Sequence, residues 1–238
     1  MEYAADYRGI RLSHQTITED FGDGPVLVVK TRAPENLRAE VLYSKNPGGP
    51  YRNTAMSVYA DGFMARLPAL EKGMKWFYHI DIYKDDERLA AFPPGSDQFI
   101  KFKGHISPVI LIPHIFCMFA TIFLGVMAVF TSFDVARGKR DVRRSVLYLL
   151  WTMIFAFVGG FPLGIAVAYQ AFGQGWEGIP VGWDITDNKT LILFLFWLVT
   201  FIVSIRGLKG DKMAISGKTY AFLVTLSFIV TFATFLIP

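Results

Sequence analysis

The run 106–131 holds 26 residues without one formally charged side chain. A helix of about 20 apolar residues already crosses the roughly 30 Å hydrocarbon layer of a bilayer, so this run is long enough to span it with tilt. Lipid offers no hydrogen-bond partners to the backbone, and a single apolar run satisfies its own N–H and C=O groups only as a helix. Three more runs follow, at 146–172, 191–205 and 219–237. Carrying the third back to Lys189, where Asp187 or Asn188 serves as N-cap beside the helix dipole, gives spans of about 106–131, 146–172, 189–205 and 219–237. Residues 106–238 therefore read as an all-α bundle of four transmembrane helices.

Charge orients them. Arg137, Lys139, Arg140, Arg143 and Arg144 lie between the first two spans, and Arg206, Lys209, Lys212 and Lys218 between the last two. The other side carries Lys189, with Lys101 and Lys103 close to the first span. The positive-inside rule then puts both basic connections in the cytoplasm, and residues 1–105, the loop 173–190 and the C-terminus outside. This reads as a bacterial inner-membrane, multi-pass protein with its N-terminal domain and C-terminus periplasmic. Residues 1–105 contain 14 basic and 14 acidic residues, so the net +4 arises wholly in the membrane half. A basic surplus confined to short loops between spans signals orientation, and no nucleic-acid motif accompanies it. The start, Met-Glu-Tyr-Ala-Ala-Asp, has no basic or apolar leader region. An outward head then implies a signal peptide removed or outside this numbering, the alternative being translocation by the first span.

The first 105 residues alternate in short runs broken by turn residues. Candidate strands cover 26–31, 37–43, 56–59, 63–67, 74–83, 88–92 and 98–102, with turns at Asn46-Pro-Gly-Gly-Pro50, Asp61-Gly62, Asp85-Asp86-Glu87 and Pro93-Pro94-Gly95. The strongest is 74–83, where Met74, Trp76, Tyr78, Ile80 and Ile82 share one face, which predicts a central strand. About seven strands in this length suggest an extracytoplasmic β-sandwich domain of immunoglobulin or fibronectin-III type, lacking a disulfide because Cys117 is the sole cysteine. Cys117 itself lies in an apolar run and reads as a buried structural thiol. His79 falls on the strand face opposite the apolar one and reads as a plain sheet-face histidine.

The one long polar insert among the spans that is not strongly basic is 173–190, Gly-Gln-Gly-Trp-Glu-Gly-Ile-Pro-Val-Gly-Trp-Asp-Ile-Thr-Asp-Asn-Lys-Thr. Trp176 and Trp183 suit a membrane interface or a partner, and Asp184, Asp187 and Asn188 follow closely. These five are the candidate partner-binding residues. Asp184, Thr186, Asp187 and Asn188 could serve a hard cation, but the spacing is no EF-hand, and an Asx-turn leading into a helix N-cap accounts for the same residues, so no metal site is assigned. Inside the spans, His114 after Pro113 is the one histidine or charged group at depth. It reads first as an interhelical hydrogen-bonding residue, and alternatively as a ligand to a haem or chlorin metal or a hydrogen-bond partner of a quinone. Pro113 and Pro162 predict helix kinks, and Gly160 with Gly164 forms a small-xxx-small pair for close helix approach.

The stretches Phe-Lys-Gly-His-Ile-Ser-Pro-Val-Ile-Leu-Ile-Pro-His at 102–114 and Gly-Trp-Glu-Gly-Ile-Pro-Val-Gly-Trp-Asp-Ile-Thr-Asp-Asn-Lys-Thr at 175–190 resemble a group of uncharacterised bacterial four-span membrane proteins with an N-terminal immunoglobulin-like extracytoplasmic domain. The resemblance implies the architecture and no activity. The chain carries no Ser-His-Asp set, HExxH, P-loop or dinucleotide fingerprint, and no intramembrane acid-base relay of the kind a proton-coupled transporter needs. The function expected is that of a non-enzymatic accessory or scaffold subunit of a larger, energy-transducing membrane complex. Its partners would be other membrane subunits, a periplasmic protein and the lipid bilayer. The alternative is a redox or cofactor-binding membrane protein using His114.

Overall fold

The computed structural model describes residues 2–7, 10–31, 36–85, 87–139 and 141–236. Two compact units emerge: one runs up to His105 and takes in Ala171–Gly173, and the other comprises Ile106–Gln170 and the chain from Gln174 onward.

Among the described residues, the first unit has eleven strands: β1 Glu2–Tyr7, β2 Ile10–Gln15, β3 Glu19–Asp20, β4 Val26–Thr31, β5 Leu37–Ser44, β6 Arg52–Ala55, β7 Ser57–Tyr59, β8 Gly62–Arg66, β9 Lys75–Lys84, β10 Glu87–Phe92 and β11 Gln98–Phe102. They form two sheets, β1-β2-β4-β8-β7 and β3-β11-β9-β5-β6, with β10 also pairing β9. β9 is central, as its alternation requires. Trp76, Tyr78, Ile80 and Ile82 are buried, β5 pairs along one edge, and β10 followed by β11 shares the other. One apolar core draws on both sheets, with Leu12, Leu27, Val29 and Phe63 from the first meeting Val41, Tyr78, Ile80 and Ile100 from the second.

The sequence pattern misses four strands, for identifiable reasons. β1 and β2 are largely polar, and the inward face of β2 carries His14 beside Leu12, so no apolar alternation announces it. The histidine is 1% exposed. Its Nδ1–H donates to the Val28 carbonyl at 2.9 Å, and its Nε2 accepts from the Tyr78 hydroxyl at 3.0 Å. β3 has only two residues and pairs in parallel with β11. The candidate strand 56–59 belongs to a crossing between sheets: β6 pairs β5, β7 pairs β8, and buried Met56 between them donates its N–H to the Ala39 carbonyl at 2.8 Å. The following tight turn lies at Ala60-Asp61, one residue earlier than the Asp61-Gly62 pair suggests, with Ala60 at φ 44°. Gly62 is needed in β8 because a β-carbon there would sit 1.9 Å from the Val29 carbonyl oxygen.

The second unit contains α1 Pro108–Ala136, α2 Val142–Val158, a π-helical turn Gly159–Leu163, α3 Gly164–Phe172 as far as Gln170, α4 Ile185–Ser204 with a 3-10 extension Ile205–Lys209, and α5 Gly217–Leu236. Pro108–Ala136, Val142–Phe172, Ile185–Lys209 and Gly217–Leu236 are long and apolar enough to cross a membrane. Three of these helices exceed the expected spans because hydropathy marks the hydrocarbon-facing part only. The backbone ladder continues through Asp134, Arg143, Arg144 and Asp187 at their ends. Just 17% of the most apolar stretch of the first, and 28% of each of the others, is buried within the chain.

Hydroxyl and indole groups join the helices. Thr131 of α1 donates to Ser145 of α2 at 3.0 Å, and Ser145 shares a 3.0 Å bond with the Tyr220 hydroxyl of α5. Trp197 Nε1 of α4 donates to Thr231 of α5 at 2.8 Å, and Thr200 pairs with Ser227 at 3.0 Å. In a low-dielectric interior each such group needs a partner, and these partners are on neighbouring helices. The two basic connections lie at one end of the unit. A β-carbon on Gly207 would be 2.7 Å from Val142 Cγ1, and one on Gly217 would be 3.2 Å from the Val135 carbonyl oxygen.

Candidate functional site

The loop between α3 and α4 is closed by its own acidic and amide side chains. Asp184 is the N-cap of α4, with extended backbone (φ −56°, ψ 128°), and its Oδ1 accepts from the N–H groups of Thr186 at 2.9 Å and Asp187 at 3.0 Å. The cap is therefore Asp184, not Asp187 or Asn188, and the helix starts at Ile185 instead of 189. The reason is local. Pro180 and the following turn bring the chain back so that the Asp184 N–H bonds to the Glu177 carbonyl at 2.9 Å, leaving Asp184 as the last residue before helical dihedrals begin.

Asp187 and Asn188, one turn into the helix, reach back to the loop. Asp187 Oδ2 accepts from the Glu177 N–H at 2.6 Å, and Asn188 Oδ1 accepts from the Ile179 N–H at 2.8 Å. These three side chains thus satisfy four backbone donors that a turn of this shape leaves without ladder partners. Among the described residues no three His, Cys, Asp or Glu side chains are grouped to hold a metal ion.

The tryptophans part company. Trp176 lies flat on Phe161 of the π turn, with ring centroids 5.4 Å apart and planes 24° apart, and its Nε1 donates to the Ile179 carbonyl at 3.3 Å. Trp183 is 83% exposed. Ile179, Val181 and Ile185 are exposed as well, so every second residue from 179 to 185 presents an apolar side chain outward. Ile179, Val181 and Ile185 are the residues that reading the sequence for polar and aromatic groups passes over. The period-two spacing of Ile179, Val181, Trp183 and Ile185 is the signal that would have found all three.

The second candidate, His114, sits where α1 meets the π turn. Pro162 has no N–H to give to the carbonyl four residues back, and the chain re-registers so that Gly164 N–H bonds to Gly159 O. His114 Nδ1–H donates to the same Gly159 carbonyl at 2.9 Å. Gly159 permits the approach: a β-carbon there would be 2.8 Å from Cys117 Cβ. One at Gly160 would be 2.6 Å from Thr190 Cγ2 of α4, so adjacent glycines serve two different helices. Gly164, expected to share that role with Gly160, makes no comparably close helix contact, since a β-carbon there would be 3.8 Å from His114 Cε1. Pro113, by contrast, lies within an unbroken α1.

The remaining histidines are accounted for by neighbours within the first unit. His79 Nδ1–H donates to Asp97 at 2.8 Å, Asp97 also accepts from the Tyr51 hydroxyl at 2.5 Å, and His105 stacks on Phe21 with centroids 5.3 Å apart. No protein-family model and no curated protein sequence matches the chain, which leaves the reading of its function to the loop, the His114 junction and the architecture that carries them.

Proposed function

We propose that the chain is a non-enzymatic accessory or scaffold subunit of a larger inner-membrane complex, docking periplasmic partners through its N-terminal domain and the loop 173–190. The observation that carries the proposal is the contrast within that loop. Asp184, Asp187 and Asn188 fasten its backbone, while Ile179, Val181, Trp183 and Ile185 stay exposed. A loop held in one shape with an aromatic group outward is pre-organised for contact, because the ordering entropy is spent before the partner arrives. The strand order supports an immunoglobulin or fibronectin-III-type head, with β2-β4-β8 forming one sheet and β6-β5-β9 followed by β10 and β11 the other. Such modules commonly bind or space other proteins. The nine basic residues of the two connections support a cytoplasmic placement of that end and an outward placement of the head and loop.

Purification from native membranes in mild detergent tests it. Stoichiometric partners should accompany the wild-type chain and be lost from Trp183→Ala at unchanged thermal stability. A wild-type chain that runs alone would overturn the proposal.

His114 supports a second reading, as a redox or cofactor-binding protein. With Nδ1–H bonded to a backbone carbonyl, a neutral imidazole has its lone pair on Nε2, the tautomer used to ligate metals or to accept from a quinol. A Soret or chlorin band, or co-extracted quinone, lost on His114→Ala would establish it. A featureless visible spectrum with no quinone extracted would remove it.

A further inference from the structure

We infer that the cleft between the C-terminal turn of α1 and the N-terminal turns of α5 is a binding site for a phospholipid with an anionic headgroup. The cleft has a volume of about 410 Å³, within the range of small-ligand sites. Phe133 and Ala136 of α1 form one wall, Ala221 and Phe222 of α5 the other, and Thr225 marks its far end. Arg137 and Lys218 are the charged groups that line it. The spacing makes this one surface: 133, 136 and 137 share a face of α1, and 218, 221, 222 and 225 share a face of α5. From Lys218 to Thr225 the cleft follows α5 for roughly 10 Å, from the basic end toward the middle of the span.

Two observations point to the ligand's chemistry. Among the described residues neither Arg137 nor Lys218 takes part in an ion pair or a side-chain hydrogen bond, so two cations stand beside an apolar cleft with their charge unmatched. The surrounding connections add to the field, with nine basic residues against Asp134, Asp141 and Asp211. An apolar ligand would leave both cations without a partner, and a free inorganic anion would leave the aromatic walls wet. A molecule with an acyl chain and a phosphate satisfies both. Basic pockets between spanning helices on the cytoplasmic side take acidic headgroups for the same reason. Gly217, packed against the Val135 carbonyl, brings Lys218 close to the end of α1, where Arg137 is the C-cap. The inference rests on the four helices spanning a membrane and is independent of whether the 173–190 loop docks a partner.

The test is native mass spectrometry of the full chain in detergent, titrated with dioleoylphosphatidylglycerol or dioleoylphosphatidylcholine. The wild type should retain one phosphatidylglycerol in preference to phosphatidylcholine by roughly thirtyfold, the combined effect of two basic residues at an anionic headgroup. Arg137→Gln with Lys218→Gln should remove the preference, while Lys212→Gln, at the same end and outside the cleft, should leave it. Thr225→Trp should block retention of both lipids by filling the apolar end, with circular dichroism confirming that it folds. Equal loss from Lys212→Gln would mean diffuse surface attraction and overturn the site. Full competition by inorganic phosphate at equal concentration, or retention unaffected by Thr225→Trp, would show that the acyl chain plays no part and overturn it too.

Discussion

Replacing Asp184 by alanine tests the assignment of the α4 cap against its neighbours. Loss of an N-cap side chain costs about 0.5–2 kcal/mol. Asp184 sits toward the middle of that range. Its Oδ1 serves two N–H groups, at 2.9 and 3.0 Å, and its charge lies at the positive end of the helix dipole, but the side chain is exposed and water replaces part of what is lost. A cost of about 1 kcal/mol is roughly a fivefold change in a local opening equilibrium. Hydrogen exchange on the detergent-solubilised chain should therefore show the Thr186 and Asp187 amides exchanging about fivefold faster in Asp184→Ala, with Asp184→Asn close to wild type because asparagine also caps. Asp187→Ala should spare the Thr186 amide and expose that of Glu177, and Asn188→Ala should expose that of Ile179. If Asp187→Ala accelerates Thr186 and Asp184→Ala does not, the cap is misassigned and the geometry of the loop with it.

Burial lowers the His14 pKa from its ordinary value, so the unfolded chain takes up a proton near pH 6.5 that the folded one refuses. Stability should fall as pH drops below about 6.5, by up to about 1.4 kcal/mol per unit until the folded value is reached, and denaturant titrations at pH 7.5, 6.5 and 5.5 should show this slope reduced in His14→Gln. Gly159→Ala drives a methyl into Cys117 Cβ, 2.8 Å away, and should cost about 1–3 kcal/mol in thermal unfolding as α1 and α2 are forced apart. Trp197→Phe removes the pyrrole half of a fully buried indole together with its bond to Thr231, so a loss of about 1–3 kcal/mol, more than the ~0.6 kcal/mol of such a bond alone, is expected in a denaturation assay in mixed micelles, and a loss no larger than that of the bond would show that the neighbouring helices close over the gap.

What was legible in the sequence follows the strength of periodicity. The β9 pattern fixed both its buried face and its central place, and the four apolar runs announced four spanning-length helices. The sequence was silent where a partner supplies the ordering force. β2 owes its place to pairing with β1 and β4, and its buried histidine is tolerated because both ring nitrogens find partners. Helix ends escape the pattern for a related reason, since nothing in hydropathy records how far a hydrogen-bonded ladder continues into water. In the loop, residue types point to backbone capping, but which of Asp184, Asp187 and Asn188 caps the helix depends on the return of the chain from Glu177 to Asp184, a contact seven residues apart that no local rule encodes.

The junction at Gly159–Leu163 shows why neighbouring oddities in a membrane sequence need to be read together. Taken singly, Pro162 predicts a kink, the Gly159-Gly160 pair predicts close packing, and His114, 45 residues away, predicts a buried polar site. In the folded chain each requires the others. Proline removes a donor from the ladder, the turn widens to a five-residue repeat, and the Gly159 carbonyl then serves both the Gly164 N–H and His114. The imidazole can reach that carbonyl because Gly159 has no side chain to hold Cys117 and its helix away. An alanine at 159 should therefore lengthen the His114 bond as well as destabilise the packing, and a phenylalanine at 114 should leave a carbonyl in the bilayer with one donor where it now has two. The double substitution should cost less than the sum of the singles, because the first change already breaks the bond that the second removes. Strict additivity in thermal unfolding would mean that the histidine and the glycine act separately, and the junction would then be a coincidence of position.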